Sequence, residues 1–426
     1  MMLPRRKSNS YEAGSVTSTM WIRRVSFILC GVCAVISLSI GHTFGDEISS
    51  GVGGGDSSSR SLKGVPNSVH PQDQYYYSLP EMTPKLLAEF KGPNGPKPTV
   101  MVTGAAGFIG MWTCLALKQL GMNPIGYDVV NSYYNVDLKQ LRIAKLKENG
   151  IEFVHADVCD AGALKETISK YQITRIIHLA AQAGVRYSLD HPMEYTRNNI
   201  DCFVILLETM VELGMHKQGR LVYASSSSVY GNNKKVPFQE SDRLEDPASL
   251  YASTKRTDEL IGQTYYNLHN VSSIGLRFFT VYGPYGRPDM APWIFSEKIS
   301  SNETIQVFNH GKSKRDFTYV EDIVQGVVNS LFVIPGQPEL INLGNGRPVV
   351  LADFVRLVEK EVGWEAKKNH IGMQKGDVPV TYADITKARR MLGYNPNTPI
   401  EKGIAEFVTW FRDANALQFR MKKSKS

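Results

Sequence analysis

The chain has 426 residues, 42% hydrophobic and 21% charged, a globular balance with room for two compact units and tails. Its formal charge of +7 collects at the ends, in Arg5, Arg6, Lys7, Arg23 and Arg24 and in Arg420, Lys422, Lys423 and Lys425. The body between them is near neutral, which argues against nucleic acid as a partner. The five cysteines show no metal-ligand spacing and no disulfide framework. Cys114, Cys159 and Cys202 read as small buried hydrophobes, and no metal is expected.

Residues 1–24 form a polar, basic tail. Val25–Phe44 is almost free of charge and long enough to span a bilayer as a helix. Arg23 and Arg24 precede it and Asp46 and Glu47 follow, so the positive-inside rule puts the N-terminus in the cytosol and the body across the membrane. The long leader and the lack of a small-x-small cleavage site favour an uncleaved anchor over a signal peptide. Residues 45–97 read as a stem, with a Gly/Ser cluster followed by scattered prolines.

The organising stretch is Thr99–Gly110, an apolar strand ending in Gly104, Gly107 and Gly110 and continuing into a helical pattern. A strand, a glycine turn and a helix form the unit that holds a dinucleotide. Gly104 permits a sharp turn, Gly107 lets backbone N–H groups approach a pyrophosphate, and Gly110 lets the helix pack closely. Phe108 and Ile109 complete the turn, and the helix N-terminus faces the phosphates. The next strand ends at Asp128, about 20 residues on, where an acid accepts bonds from the adenosine ribose and favours NAD over NADP.

Strands and helices then alternate. Apolar runs Ile151–His155, Ile173–Leu179, Gly219–Ala224 and Val271–Arg277 each lead into a polar or small-residue loop, with helical patterns such as Asp201–Val211 between them. The expected fold is α/β: a doubly wound, Rossmann-like parallel sheet over residues 98–288, with functional loops at the carboxyl ends of the strands. Residues 289–418 are expected to give mainly a smaller mixed α/β substrate lobe, before a basic tail at 419–426. Asn270–Val271–Ser272 and Asn302–Glu303–Thr304 are sequons of a kind that also arises by chance.

Two further pieces carry chemistry. In Tyr251–Ala252–Ser253–Thr254–Lys255 the tyrosine and lysine share a helical face. The ammonium can hold a nicotinamide ribose and favours the phenolate, a usable base near neutral pH. Ala224–Gly231 places Ser225, Ser226, Ser227 and Ser228 at a strand end, where a hydroxyl can bridge a substrate hydroxyl to Tyr251.

Together these segments, with His178–Leu179–Ala180–Ala181, resemble the extended short-chain dehydrogenase/reductase family over about Pro98 to Arg412. The resemblance implies Tyr251 as base, Ser226 as bridging hydroxyl and Lys255 as ribose clamp. It also implies Asp157 and Val158 beside adenine, and Ala180, Ala181 and Gln182 along the cofactor, NAD. Within the family, His178–Tyr187, Val222–Gly231, Arg277–Pro284, Gly286–Ala291, Arg315–Val320 and Gly376–Asp384 resemble the UDP-glucuronate 4-epimerases. Ser227 and Ser228 stand where dehydratases of the family carry an acid pair, so elimination is disfavoured.

The activity this implies is C4 epimerisation of UDP-glucuronate to UDP-galacturonate through a 4-keto intermediate. A cation must then hold the carboxylate against loss of CO₂. Arg287 is the first candidate, with Thr280, Ser227 and Ser228 as neutral partners, and Arg186 is the second. Arg315 and Asp377 would hold the diphosphate and the uridine ribose. Asp128–Val129 departs from the family's Asp-Asn, and Gln374 replaces an arginine of the hexose epimerases. The alternatives are UDP-glucuronate decarboxylation, UDP-hexose 4-epimerisation and a non-catalytic, membrane-tethered nucleotide-sugar binding protein. The anchor and stem point to the secretory pathway with the body in the lumen; the resemblance implies a homodimer and the Golgi, with the endoplasmic reticulum as the alternative.

Overall fold

The computed structural model describes residues 98–217, 220–333, 336–373, 378–414 and 416–419. The expected tail, anchor and stem (1–97), the C-terminal residues 420–426 and Asp377 lie outside them. Among the described residues no helix is long and apolar enough to cross a membrane.

Seven parallel strands form the central sheet: β1 (Thr99–Thr103), β2 (Asn123–Asp128), β3 (Glu152–His155), β4 (Arg175–His178), β5 (Arg220–Ser226), β6 (Ser273–Phe278) and β7 (Glu339–Leu343). Their order is β7-β6-β5-β4-β1-β2-β3. The chain runs outward from β1 to β3, then crosses back to β4 on the other side of β1. That reversal opens a crevice at the carboxyl ends of β1 and β4, where ligands bind in such sheets. The register aligns those ends: Thr103 pairs with both Tyr127 and His178, and His178 pairs with Tyr223.

Helices cover both faces, as a sheet buried on both sides requires. The helices that position the site are α1 (Phe108–Gln119), α2 (Val136–Glu148), α3 (Ala161–Lys170), α4 (Cys202–Glu212), α5 (Leu250–His269) and α6 (Val320–Ser330). Met111, Leu115, Val324 and Val328 are essentially buried in one core layer, and Met101, Ile176, Phe203 and Leu206 in the other. Truncating any of these to alanine removes ~2–5 kcal/mol.

The segment after residue 288 does more than form a lobe. It returns β7 to the sheet beside β6, and α6 packs against α1. The remaining short strands pair apart from the central sheet, as in Lys314–Arg315 with Val349–Val350 and Val380–Thr381.

The cysteine expectation fails in one respect. Cys114 is buried and free, but Cys159 and Cys202 form a disulfide across a sequence separation of 43 residues. The turn after β3 and the start of α4 meet at the end of the sheet, a proximity that sequence spacing does not encode.

Candidate active site

The glycine turn is built as its sequence requires. Gly104 has φ +72°, and a Cβ there would lie 2.8 Å from the Ala180 nitrogen. A Cβ on Gly110 would lie 2.0 Å from the Gly104 carbonyl oxygen. The strand, turn and helix therefore close on one another only with hydrogen at these positions. Gly107 caps α1 without a side-chain acceptor, so the first N–H groups of the helix are left for an anion. Asp128 ends β2 with its carboxylate taking the Ala106 N–H at 3.1 Å and the Val130 N–H at 2.7 Å, at the rim of the turn. This cradle fits a dinucleotide: no side chain fills it, N–H donors face it and one acid borders it.

The wall formed by the turn after β3 is tied down twice. Asp157 accepts from Cys159 N–H at 2.9 Å and from Arg197 at 2.8 Å. The Cys159–Cys202 disulfide then joins this turn to α4. Asn199 is buried in a π-helical turn, Thr196–Asp201, just before α4. Its side chain accepts from Gln182 N–H at 2.7 Å, and donates to Gln182 O at 3.1 Å and to the Thr254 hydroxyl at 2.9 Å. It thereby locks the loop after β4 to α5. Sequence reading missed Asn199; its signal was a buried-helix pattern interrupted by two adjacent asparagines.

Helix α5 begins at a serine cap, Ser249 Oγ accepting from Ala252 N–H at 3.1 Å. Its first two turns present Tyr251 and Lys255 to the cleft. Lys255 Nζ donates to Ala224 O at 3.1 Å and to Asp258 Oδ2 at 2.9 Å. Tyr195 stands edge-on to Tyr251 at 6.0 Å between ring centres. Opposite, β5 ends in the serine run. The Ser225 hydroxyl donates to Glu259 at 2.7 Å, and Ser226 Oγ accepts the Ser228 N–H at 3.1 Å. Glu259 is also gripped by Arg277 at 2.8 and 2.9 Å and by Arg256 at 2.9 Å. This buried network fixes α5 against β5 and β6, so the tyrosine and the serine run hold a constant separation.

His178, at the end of β4, packs beneath this constellation. Burial, helped by the Lys255 charge, pushes its imidazole down to about 3, so it is neutral and bonded to Thr103 Oγ1 at 2.8 Å.

The far wall carries the cations. Arg287 forms a two-point ion pair with Asp289, at 3.0 Å and 2.5 Å, and Tyr133 OH donates to Asp289 at 3.2 Å. Burial pushes the Asp289 carboxyl up, but the Arg287 charge outweighs it and holds the group below the ordinary range. The loop bearing Arg287 is stapled to the coenzyme unit. Trp112 Nε1 donates to Pro284 O at 2.9 Å, and the buried Arg142 guanidinium spans Ala106 O (3.0 Å), Tyr285 O (2.8 Å) and Gly286 O (3.2 Å). Burial first, then the charges of Arg142 and Arg287, pull the nearby Lys139 ammonium down to about 8 against the pull of Asp128. None of Arg142, Lys139 and Asp289 was singled out in the sequence, where each reads as an ordinary helix or loop charge.

One cleft brings almost all the sequence-selected residues together. It is lined by Gly104, Gly107, Phe108, Ile109, Gly110, Asp128, Asp157, Val158, Ala180, Ala181 and Gln182 on the glycine-turn side. Ser226, Ser227, Ser228, Tyr251, Lys255, Thr280, Arg287, Arg186 and Arg315 line its other walls. Arg186 is exposed, with its guanidinium 5.1 Å from the Phe308 ring centre, and Arg315 donates to Pro379 O at 3.4 Å.

The GDP-mannose 4,6-dehydratase family description matches residues 101–407. UDP-glucuronate 4-epimerase 4 of Arabidopsis thaliana is 46% identical over 329 residues, which is 74% of this chain and 75% of that protein. Protein CapI of Staphylococcus aureus is 40% identical over 330 residues, 73% of this chain and 98% of that protein. Among solved structures, the UDP-glucuronic acid 4-epimerase of Bacillus cereus, in complex with UDP-glucuronic acid and NAD, superposes with a TM-score of 0.68 at 32% identity. That match covers 74% of this chain and 99% of the other. With its glycine turn, parallel sheet and Tyr-Lys helix in the arrangement this match requires, the chain belongs to the GDP-mannose 4,6-dehydratase family of extended short-chain dehydrogenases/reductases.

Proposed function

We propose that the chain is an NAD-dependent 4-epimerase converting UDP-glucuronate to UDP-galacturonate. The observation that carries this reading is one cleft in which Tyr251, Lys255 and the Ser226–Ser228 run face Arg287 and Thr280, beside a dinucleotide cradle. Relatives bearing that activity in their names support it.

Tyr251 takes the proton of the C4 hydroxyl, with Ser226 bridging. Lys255 holds the nicotinamide ribose and favours the phenolate by its charge. Bound NAD supplies the acceptor for the C4 hydride and its return. The 4-keto sugar turns over in the cleft, and Tyr251 gives the proton back on completion. The intermediate is a β-keto acid; Arg287, with Thr280, Ser227 and Ser228, holds its carboxylate out of the geometry for loss of CO₂. The test is incubation with UDP-glucuronate without added coenzyme. A product of unchanged mass that co-elutes with UDP-galacturonate supports the reading. A product lighter by CO₂ makes the enzyme a decarboxylase, and turnover of UDP-glucose alone makes it a hexose epimerase.

Arg315 and Asp377 are assigned to the diphosphate and the uridine ribose. Residues 25–44 are assigned as a single membrane anchor that leaves the body in the lumen of the secretory pathway, the Golgi by family resemblance. The Cys159–Cys202 disulfide supports an oxidising compartment, and Asn270 and Asn302 are exposed, as glycosylated positions would be. A homodimer is supported by the outward leucines of α5, Leu260 at 53% and Leu268 at 69% exposure.

A further inference from the structure

The catalytic helix carries an acid that the reaction as described does not use. Asp258 lies three residues beyond Lys255, and its Oδ2 is 2.9 Å from Lys255 Nζ, with each side chain 3% exposed. Its other oxygen, Oδ1, is buried without a hydrogen-bond partner. Among the described residues, Lys255 is the one cation in a salt bridge with it.

The surrounding charges are otherwise engaged. On α5, Arg256 and Glu259 pair with each other, and Glu259 is held by Arg277 from β6. From β5, the phenol of Tyr223 is pushed up by burial and by Glu259 and Asp258, so it stays neutral. From β4, His178 is neutral. Tyr230, in the turn after β5, bonds Arg277 and Asn342, and Tyr195 stands beside Tyr251. The ammonium, which also donates to Ala224 O at 3.1 Å, and the carboxylate thus form a buried ion pair in the wall of the cleft. Burial lifts the Asp258 carboxyl to about 6 even against the pull of Lys255, so near neutral pH the pair is formed.

Tyr251, Lys255 and Asp258 occupy one helical face at i, i+4 and i+7. A bare ammonium would favour the phenolate with its full field; one seated on a carboxylate favours it only by the difference. Epimerisation needs both forms of the tyrosine in each turnover, base to remove the C4 proton and acid to return it. We propose that Asp258 is a positioning residue that holds Lys255 beneath Tyr251 and offsets part of its charge, poising the tyrosine between its two protonation states. The benefit to turnover rests on the epimerase reading; the charge offset itself does not.

The test is Asp258→Asn, which keeps the shape and a carbonyl acceptor but removes the charge. Seven residues of helix put Asp258 about 10 Å from Tyr251, a separation at which losing one charge moves the tyrosine's ionisation by about one pH unit. Tyrosinate is read from near-ultraviolet absorbance, as the difference between each protein and its Tyr251→Phe counterpart. The expected result is tyrosinate appearing about one pH unit lower in D258N, with the ascending limb of kcat against pH for UDP-glucuronate displaced equally. A kcat lowered evenly across pH, with the tyrosinate titration unmoved, would make Asp258 merely structural and overturn the proposal. A displacement to higher pH would also overturn it. If wild type does not turn over UDP-glucuronate, the epimerase reading fails while the absorbance titration still decides Asp258. Asp258→Ser provides the same comparison if D258N does not fold.

Discussion

Arg287 is held at two points by the carboxylate two residues on, its Nε 3.0 Å from Asp289 Oδ1 and its Nη2 2.5 Å from Oδ2. The guanidinium proposed to grip the substrate's carboxylate is therefore pre-oriented by an internal one. Tyr133 supports the pair from the loop after β2.

Replacing Arg287 with Met removes charge-assisted bonds of ~1.5–3 kcal/mol. The expected outcome is a fall of roughly 10- to 150-fold in kcat/KM for UDP-glucuronate, with UDP-glucose much less affected. Steady-state kinetics on both sugars check it. Equal losses on both would mean that Arg287 only maintains the loop.

Tyr251→Phe deletes the proton-transfer group and leaves the ring against Tyr195. A loss of about 10²- to 10⁴-fold in kcat is expected, with bound coenzyme retained. Lys255→Met should lose activity and coenzyme together, because the ribose clamp goes with the charge. Coenzyme content by absorbance after gel filtration separates the two.

The Cys159–Cys202 bond closes a loop of 43 residues, for which chain entropy gives a ceiling of about 4 kcal/mol. Asp157 lies two residues before that loop, its carboxylate accepting the Cys159 N–H at 2.9 Å. Cys159→Ser should lower the melting temperature of the oxidised protein and leave the reduced protein nearly unchanged. Thermal unfolding with and without a reductant checks this; equal melting in both conditions would mean that the bond contributes nothing.

Much of this was legible in the chain. Glycines at 104, 107 and 110, an acid at 128, and a tyrosine four residues before a lysine are local patterns, and each predicted its own surroundings. Strand ends were placed within a few residues because apolar runs stop where the sheet stops. What stayed hidden depends on pairs distant in sequence. Cys159 meets Cys202 only because β3 and α4 end side by side. β7 rejoins the sheet after a long excursion, and no local signal marks its return. Asp289 and Asp258 are the exceptions: they lie beside residues already singled out, but an acid near a cation reads as an exposed pair until its burial is seen.

His178 supplies a pH signature. Its ring is held down to about 3 by burial and by Lys255, while an unfolded histidine titrates near its ordinary value. Below that ordinary value the unfolded chain binds the extra proton, so this residue's contribution to stability is complete above about pH 6.5 and declines as pH falls, by ~1.4 kcal/mol per unit. Chemical denaturation of wild type and His178→Gln between pH 5 and 8 should therefore show a stability difference that changes with this slope below about pH 6.5 and is flat above. A difference independent of pH would show that the imidazole binds protons alike in the folded and unfolded chains and is not held neutral by burial.

The central claim is that one hydrogen leaves C4 and returns to the other face of the same sugar. UDP-glucuronate carrying deuterium at C4, incubated with the protein in ordinary water without added coenzyme, tests it directly. The account predicts UDP-galacturonate with deuterium retained at C4. Deuterium lost to water, or a product lighter by CO₂, would contradict it.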